Sequence, residues 1–423
     1  IREAANRDPV VDQIKVKTGF TVKVIDGIEE TRLMYIAVND CLKKAEIDLQ
    51  ETDSIILEVS GGATDIMLLD KGRVTGAHTI RIGTVLIEQQ FLGMQGSFNE
   101  LKQYLEEFIN TTSNTLNKEL NLKNVKTFVA LGGDMKLAAM TAGKQINSSF
   151  MEISRSNFEK FCAEVQRLTV DEIVARFKLS YNDAKTMNLS LLIYSLFIKL
   201  TKVQKILIPQ TTIREGLLIT KYEQANENLI QEFNMQISAS AKNLLRRYNG
   251  DEDHAEYVRK TSLKIFDKLY DELYLEPKAR MILEQSAILH DIGMFIGANN
   301  HNLHSKYIIL NSEIFGVTRD ERSLIALIVS FHKGSKMPQE DNEFHLLSRS
   351  DRMLVLKLTA ILRVADALDR GHQQKVDDFN ISFSAESMTL RVNGYNNVLL
   401  EKIALSEKAD LFQNVFGYKV VLV

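Results

Sequence analysis

At 423 residues, 45% of them hydrophobic and 25% charged, the chain has the composition of a soluble globular protein and is too long for one ordinary core, so two to four domains are expected. A net charge of −3 excludes a general pull toward DNA or an anionic membrane, and a polyanionic partner would have to meet local basic clusters such as Lys15, Lys17 and Lys23, or Lys242, Arg246 and Arg247. Two cysteines, Cys41 and Cys162, make no disulfide framework and stand in no metal-thiolate pattern, which points to buried thiols in a cytoplasmic protein.

The chain opens at Ile1 without a methionine or a signal peptide, and Ile1 to Arg7 reads as a mid-domain helix, which implies residues upstream. Phe20 to Ile25 alternates as a strand does, and Glu29 to Lys44 carries apolar residues at helical spacing. Ser54 to Val59 and Thr64 to Leu69 are β-rich runs joined by Ser60-Gly61-Gly62-Ala63, and Asp70-Lys71-Gly72 turns the chain into a third strand. Helical spacing then extends, with breaks, from about Thr84 to Leu120. Thr127 to Leu131 is a strand ending at Gly132-Gly133, followed by a helix from near Lys136. Two strands that end in Gly-Gly loops are the organising pattern of this α/β region. Leu189 to Leu200 is the most apolar stretch, but Tyr194, Ser195 and Lys199 interrupt it and it is too short to cross a bilayer. Lys205 to Ile208 supplies one more strand before Thr211 to Gly216. From about Tyr222 to Arg370 the pattern is almost entirely helical. Phe379 to Phe383, Met388 to Val392 and Lys419 to Val423 then alternate again, with a helix between them, as a small α+β module.

Glycine loops between strands bring several backbone N–H groups to one anion, because no Cβ blocks the approach. Ser60 to Thr64 suits this, with the Thr64 hydroxyl as an added donor, although a Gly-Gly hairpin turn is also often only a turn. Glu58 and Asp65 flank the loop. A carboxylate at the end of an apolar strand asks for donors or a metal, and Mg²⁺ held by such carboxylates together with substrate phosphates is one solution.

Three segments carry a resemblance: Ile1-Arg2-Glu3-Ala4, Val24-Ile25-Asp26-Gly27-Ile28-Glu29-Glu30-Thr31-Arg32-Leu33, and Leu57-Glu58-Val59-Ser60-Gly61-Gly62-Ala63-Thr64-Asp65. With Ile213-Arg214-Glu215-Gly216-Leu217-Leu218 further on, the chain resembles the exopolyphosphatase/guanosine-pentaphosphate phosphatase (Ppx/GppA) family in its long form, with a C-terminal HD-type domain. The resemblance implies α/β actin-like, ribonuclease-H-like lobes followed by an all-α HD-type domain and a small α+β C-terminal module. The implied divisions are 1–33 (the remainder of an N-terminal lobe), 34–221 (a second lobe), 222–374 (the HD-type domain) and 375–423. It implies Glu30 as the general base that activates water and Arg2 as a phosphate ligand. Gly61, Gly62 and Thr64 would belong to one phosphate loop, Gly132 and Gly133 to another, and Glu58 and Asp65 would hold Mg²⁺. The chain departs from the family pattern, which has Asp at Glu58, Gly at Ser60, Ser at Ala63 and Glu at Asp65. The family's first phosphate loop, an Asp-x-Gly-Ser-Asn-Ser segment, has no counterpart here.

In the helical half, His254, the pair His290-Asp291 and Asp366 have the spacing of an HD-domain metal set, with a donor mix that suits Mn²⁺, Fe or Zn²⁺. His301, His304 and His332 stand nearby as second-sphere groups, substrate contacts or ligands of a second metal, or as structural histidines. The resemblance thus implies a homodimeric phosphohydrolase that removes terminal phosphate from polyphosphate or guanosine pentaphosphate. Two alternatives stay open: an HD-type metal-dependent nucleotide phosphohydrolase whose actin-like half is regulatory, and a non-catalytic nucleotide or polyphosphate sensor.

Overall fold

The computed structural model describes residues 5–94, 98–222, 227–273, 277–334, 341–392 and 397–423. The chain divides into two compact units, Ile1–Ile230 and Gln231–Val423.

In the first unit, β1 (Ser54–Val59), β2 (Thr64–Asp70), β3 (Arg73–Ile80), β4 (Thr127–Ala130), β5 (Lys144–Gln145), β6 (Phe150–Ser154) and β7 (Lys205–Pro209) form one mixed sheet, ordered β3-β2-β1-β4-β7-β6-β5. Strands β1, β4 and β7 run parallel at its centre, and antiparallel pairs extend it on both sides. Central parallel strands are covered on both faces, so they read as continuous apolar runs. Ile55, Ile56, Leu57, Phe128, Val129 and Ile206 are accordingly all buried. Lys71 and Gly72, at φ 46° and 76°, form the two-residue hairpin between β2 and β3 that Asp-Lys-Gly signals. Helix Tyr181–Lys199 is apolar nearly all round because it packs into this unit's core, where Leu191, Ile193, Tyr194 and Phe197 are buried. None of the described helices is long and apolar enough to cross a membrane.

Helix Gly27–Lys44 starts on Asp26, whose carboxylate accepts the Glu29 N–H at 2.8 Å. It buries Leu33, Met34, Ala37 and Val38 and runs unbroken through position 33, so a division drawn after Leu33 falls inside a continuous helix. Helix Ile213–Tyr222 crosses it so closely that a Cβ on Gly216 would sit 2.1 Å from the Leu33 carbonyl oxygen. That contact is why the Arg-Glu-Gly segment needs its glycine. The expected strand at Phe20 to Ile25 does not form: residues 19–26 carry no regular structure. Alternation makes a strand only where a neighbour completes the hydrogen-bond ladder, and no described strand pairs with this stretch. The edge strand β5 and its neighbour β6 carry no clear sequence signal.

The second unit is built on helices Glu252–Leu273, Pro277–Leu289, His301–Leu310, Arg319–Phe331 and Arg349–Ala367. The last of these is capped by Ser348, whose hydroxyl accepts the Asp351 N–H, and is buried over most of its second half, from Leu358 to Ala367. Strands β8 (Phe379–Phe383), β9 (Ser387–Val392) and β10 (Lys419–Leu422) form a separate sheet, ordered β10-β9-β8. Phe379, Met388, Leu390 and Leu422 lie in the same apolar core as Ile288, Ile325 and Ile361 of the helices. The helices and the terminal strands of this unit therefore share one core, which the expected division between 374 and 375 cuts through.

Candidate phosphate loops and a histidine centre

In the first unit, strand register sets Glu58 opposite Asp65, so the two carboxylates share a face of the β1–β2 pair. The Asp65 carboxylate accepts a hydrogen bond from the Thr79 hydroxyl at 2.6 Å. Burial, then the charges of Asp65 and Glu30, push the Glu58 carboxyl up to about 7, with Lys136 working the other way. Of the adjacent Glu29 and Glu30, the first is held by Arg32 in a two-point ion pair, at 2.6 and 2.7 Å. Glu30 is the one whose charge reaches Glu58. Lys136 donates to the Thr211 carbonyl oxygen at 3.2 Å. Three carboxylates and one ammonium thus converge from four elements.

Both glycine loops leave the carboxyl ends of neighbouring parallel strands, β1 and β4, which is where open α/β sheets take their ligands. The first loop is closed by Ser60, whose N–H donates to the Ala63 carbonyl at 2.9 Å. Its carbonyls are committed as well: Ser60 O accepts the Thr84 N–H at 3.0 Å, and Gly61 O accepts the Val85 N–H at 3.0 Å. These bonds seat helix Thr84–Met94 on the loop. Gly83 makes that possible, since a Cβ there would lie 2.3 Å from Gly61 O and 2.5 Å from Ala63 N. Thr64 corrects its expected role as a phosphate donor. It is fully buried, and its hydroxyl donates to the Ile82 carbonyl at 2.6 Å. In the second loop, Gly132 has φ 101° and precedes helix Gly133–Ala142. A Cβ on Gly62 or on Gly133 would meet nothing within 4 Å, so both glycines leave open space in front of the backbone.

One side chain ties the two loops together. The buried Tyr194 hydroxyl accepts the Val59 N–H at 2.9 Å from the end of β1 and donates to the Leu131 carbonyl at the end of β4. Burial, as the leading cause, raises this phenol well above its usual range, so it stays a neutral donor. In the sequence Tyr194 looked only like an interruption of an apolar run. Gly83 likewise carries no local sign of its role in the sequence.

In the second unit the histidine cluster closes. His254, on helix Glu252–Leu273, and His290, at the end of Pro277–Leu289, face each other with Nε2 atoms 3.2 Å apart. Asp366 Oδ1 is 3.7 Å from His254 Nε2, and its other oxygen pairs with the buried Lys408 ammonium. Burial pushes His290 down to about 4, which leaves it neutral near pH 7. His301 and His332 also pair through Nε2 at 3.2 Å, and each lies 3.3 Å from Asp291 Oδ1. Among the described residues, sets of three ligand atoms within 4.8 Å of one another gather only here: His254 with His290 and Asp366, Asp291 with His301 and His332, and His254 with Asp291 and His372. The carboxylates Glu30, Glu58 and Asp65 do not make such a set, and His304 joins none.

The structure therefore brings His254, His290, Asp291 and Asp366 to one place, and Glu30, Glu58 and Asp65 to another. Arg2 lies outside the described residues. Two residues of the histidine centre escaped the sequence reading. Asp369 accepts from His254 Nδ1 at 2.8 Å, and His372 stacks on His254 with ring centroids 3.6 Å apart. The Asp366-Ala367-Leu368-Asp369 spacing at the end of a helix was the available signal for the first.

Residues 1–225 match the Ppx/GppA phosphatase family, and residues 238–414 match Ppx/GppA phosphatase domain III. Among solved structures, the chain is similar to an Aquifex aeolicus Ppx/GppA family member, at 19% identity and a TM-score of 0.42, over 53% of this chain and 72% of that one. It is also similar to an exopolyphosphatase from Cytophaga hutchinsonii, at 17% identity and a TM-score of 0.46, over the same shares.

Proposed function

The chain belongs to the Ppx/GppA phosphatase family, whose actin-like α/β fold its mixed sheet shares, and on that premise we propose that its first unit hydrolyses terminal phosphoanhydride bonds of inorganic polyphosphate or guanosine pentaphosphate. The observation that supports this most directly is the meeting of Glu30, Glu58 and Asp65 at the strand ends that carry both glycine loops. Glu30 takes a proton from water, the water oxygen bonds to the terminal phosphorus, and the bridging oxygen departs with the electron pair of the broken bond. Backbone N–H groups at Gly61, Gly62, Gly132 and Gly133, with Arg2, hold the phosphate oxygens in place. Glu58 and Asp65 fit a divalent cation, because two like charges share a buried face and Glu58 is pushed toward its neutral form without one. Mg²⁺ held there supplies charge neutralisation on the phosphate oxygens.

A second reading has an observation of its own. His254, His290, Asp291 and Asp366 converge as an HD-type set would, and their nitrogen and oxygen donors fit Mn²⁺, Fe or Zn²⁺, which would make the helical unit a metal-dependent phosphohydrolase. Crossed variants separate the two readings. Glu30→Gln should cut phosphate release from polyphosphate and guanosine pentaphosphate by about 10²–10⁴-fold, while His290→Ala leaves it intact. Activity confined to a generic phosphodiester, and lost only in His290→Ala, would sink the first reading.

A further inference from the structure

We propose that Lys136 is a phosphate ligand of the first unit: on substrate binding its ammonium leaves the Thr211 carbonyl oxygen for an oxygen of the phosphate that rests against the second glycine loop. This deepens the phosphohydrolase reading and rests on it. The case begins with where the charge stands. Lys136 is the fourth residue of helix Gly133–Ala142, and its N–H donates to the Gly132 carbonyl oxygen at 3.2 Å, so it sits one turn above the loop. A helix N-terminus carries positive partial charge and disfavours a cation there. The side chain is half-buried as well, which adds to the cost of keeping it charged.

What the fold gives the ammonium in return is small. It has three N–H donors. Among the described residues it makes a single hydrogen bond, to Thr211 O at 3.2 Å, and no ion pair. Acids stand near without meeting it. Its charge acts on Glu58, where it is the one cation to do so, and on Glu215. Glu215 is already committed to Thr212, whose N–H it accepts at 2.9 Å together with the hydroxyl. Asp65 accepts the Thr79 hydroxyl. A lysine that served the fold alone would be expected to pair with one of these carboxylates. Instead two of its donors are uncommitted beside a loop whose Gly133 leaves open space in front of the backbone.

A phosphate in that space removes both costs. It is the anion that a helix N-terminus favours, and it offers the ammonium a charge-assisted hydrogen bond that a neutral carbonyl cannot match. The Thr211 bond then serves as the resting contact of a side chain that is used when substrate arrives.

The test is isothermal titration calorimetry of the full chain with methylenediphosphonate, a non-hydrolysable mimic of the P–O–P unit, at fixed Mg²⁺. Loss of a charge-assisted hydrogen bond should weaken binding in Lys136→Met by about 10–100-fold. Lys136→Arg keeps the charge and should recover most of the affinity. Lys144→Met, at a side chain 69% exposed on β5, is the control and should bind like the wild type. Circular dichroism confirms each fold, and Lys136→Gln repeats the measurement if Lys136→Met misfolds. A structural role alone would lower the melting temperature and leave affinity unchanged. Binding by Lys136→Met as tight as the wild type therefore overturns the assignment and leaves the phosphohydrolase reading standing, as does an equal loss in Lys144→Met. A wild type that neither binds the diphosphonate nor releases phosphate from polyphosphate or guanosine pentaphosphate overturns both.

Discussion

Removing one oxygen from Tyr194 tests whether the two glycine loops are held as a unit. Tyr194→Phe keeps the ring and opens no cavity, so the change isolates the hydroxyl bonds to the Val59 N–H and the Leu131 carbonyl. A hydrogen bond contributes roughly 1 kcal/mol net, and a buried backbone group left without its partner costs about 1–3 kcal/mol. Tyr194 is 1% exposed, so water cannot easily replace the lost oxygen. The expected loss is roughly 2–4 kcal/mol in the unfolding of the first unit, which lowers its melting temperature by roughly 5–10 °C. The loops at the ends of β1 and β4 would then drift relative to each other, and misplacement of about 1 Å at a phosphate site can cost about 10²-fold in rate. Urea unfolding gives the first number, and kcat/KM for phosphate release from polyphosphate gives the second. Tyr181→Phe, at a residue 58% exposed, is the control and should change neither. If Tyr194→Phe unfolds within about 0.5 kcal/mol of the wild type and keeps full kcat/KM, the bridge does not position the loops.

Two further outcomes follow from the same unit. Gly62→Ala and Gly133→Ala, whose added methyl groups meet no protein atom, should melt like the wild type yet lose phosphate release by tenfold or more, whereas Gly83→Ala should lose about 1–3 kcal/mol of stability, because its methyl group strikes the loop backbone; thermal melts and a phosphate assay check both arms. Glu58 titrates near 7 when folded against an ordinary 4.5, so the folded state keeps a proton that the unfolded state releases, and stability should fall as pH rises from 4.5 to about 7, by about 3 kcal/mol at most; unfolding of Glu58→Gln across that window should lack the slope.

Where local pattern decides structure, the sequence was legible. The buried run Ser54–Val59, the Asp70-Lys71-Gly72 hairpin and the Asp26 cap each announce themselves within a few residues, and each forms where its pattern lies. Phe20 to Ile25 failed because alternation says nothing about a neighbouring strand, and β5 was too short to show a period at all. Glu58 and Asp65 could be placed as flanks of one loop, but their mutual charge became visible only with the register that sets them opposite.

The two sites differ most in how far apart their parts lie along the chain. Glu58, the first glycine loop and Asp65 are nearly contiguous, so a short motif carries most of that site, and what it hides are the supports. Thr64 looks like a phosphate donor until the Ile82 carbonyl is seen to accept its hydrogen bond, and Tyr194 looks like a blemish in an apolar helix until Val59 and Leu131 are seen to need it. The histidine centre draws on helices from Glu252–Leu273 to Arg349–Ala367, and on Lys408 beyond them. His290-Asp291 was conspicuous as a charged pair after an apolar run, while His301, His332 and His372 carry no local sign of where their rings point. Direction is set by what holds Nδ1: main-chain carbonyls for His290, His301 and His332, and Asp369 for His254. Those carbonyls belong to the residue three before each histidine, Ala287, Ala298 and Val329, so the bond that aims each ring is local even though the centre is not. A histidine at or near a helix end, bonded back to a carbonyl three residues earlier, presents Nε2 outward. Three such ends meeting around the carboxylate of Asp291 make a centre that no single segment of the sequence displays.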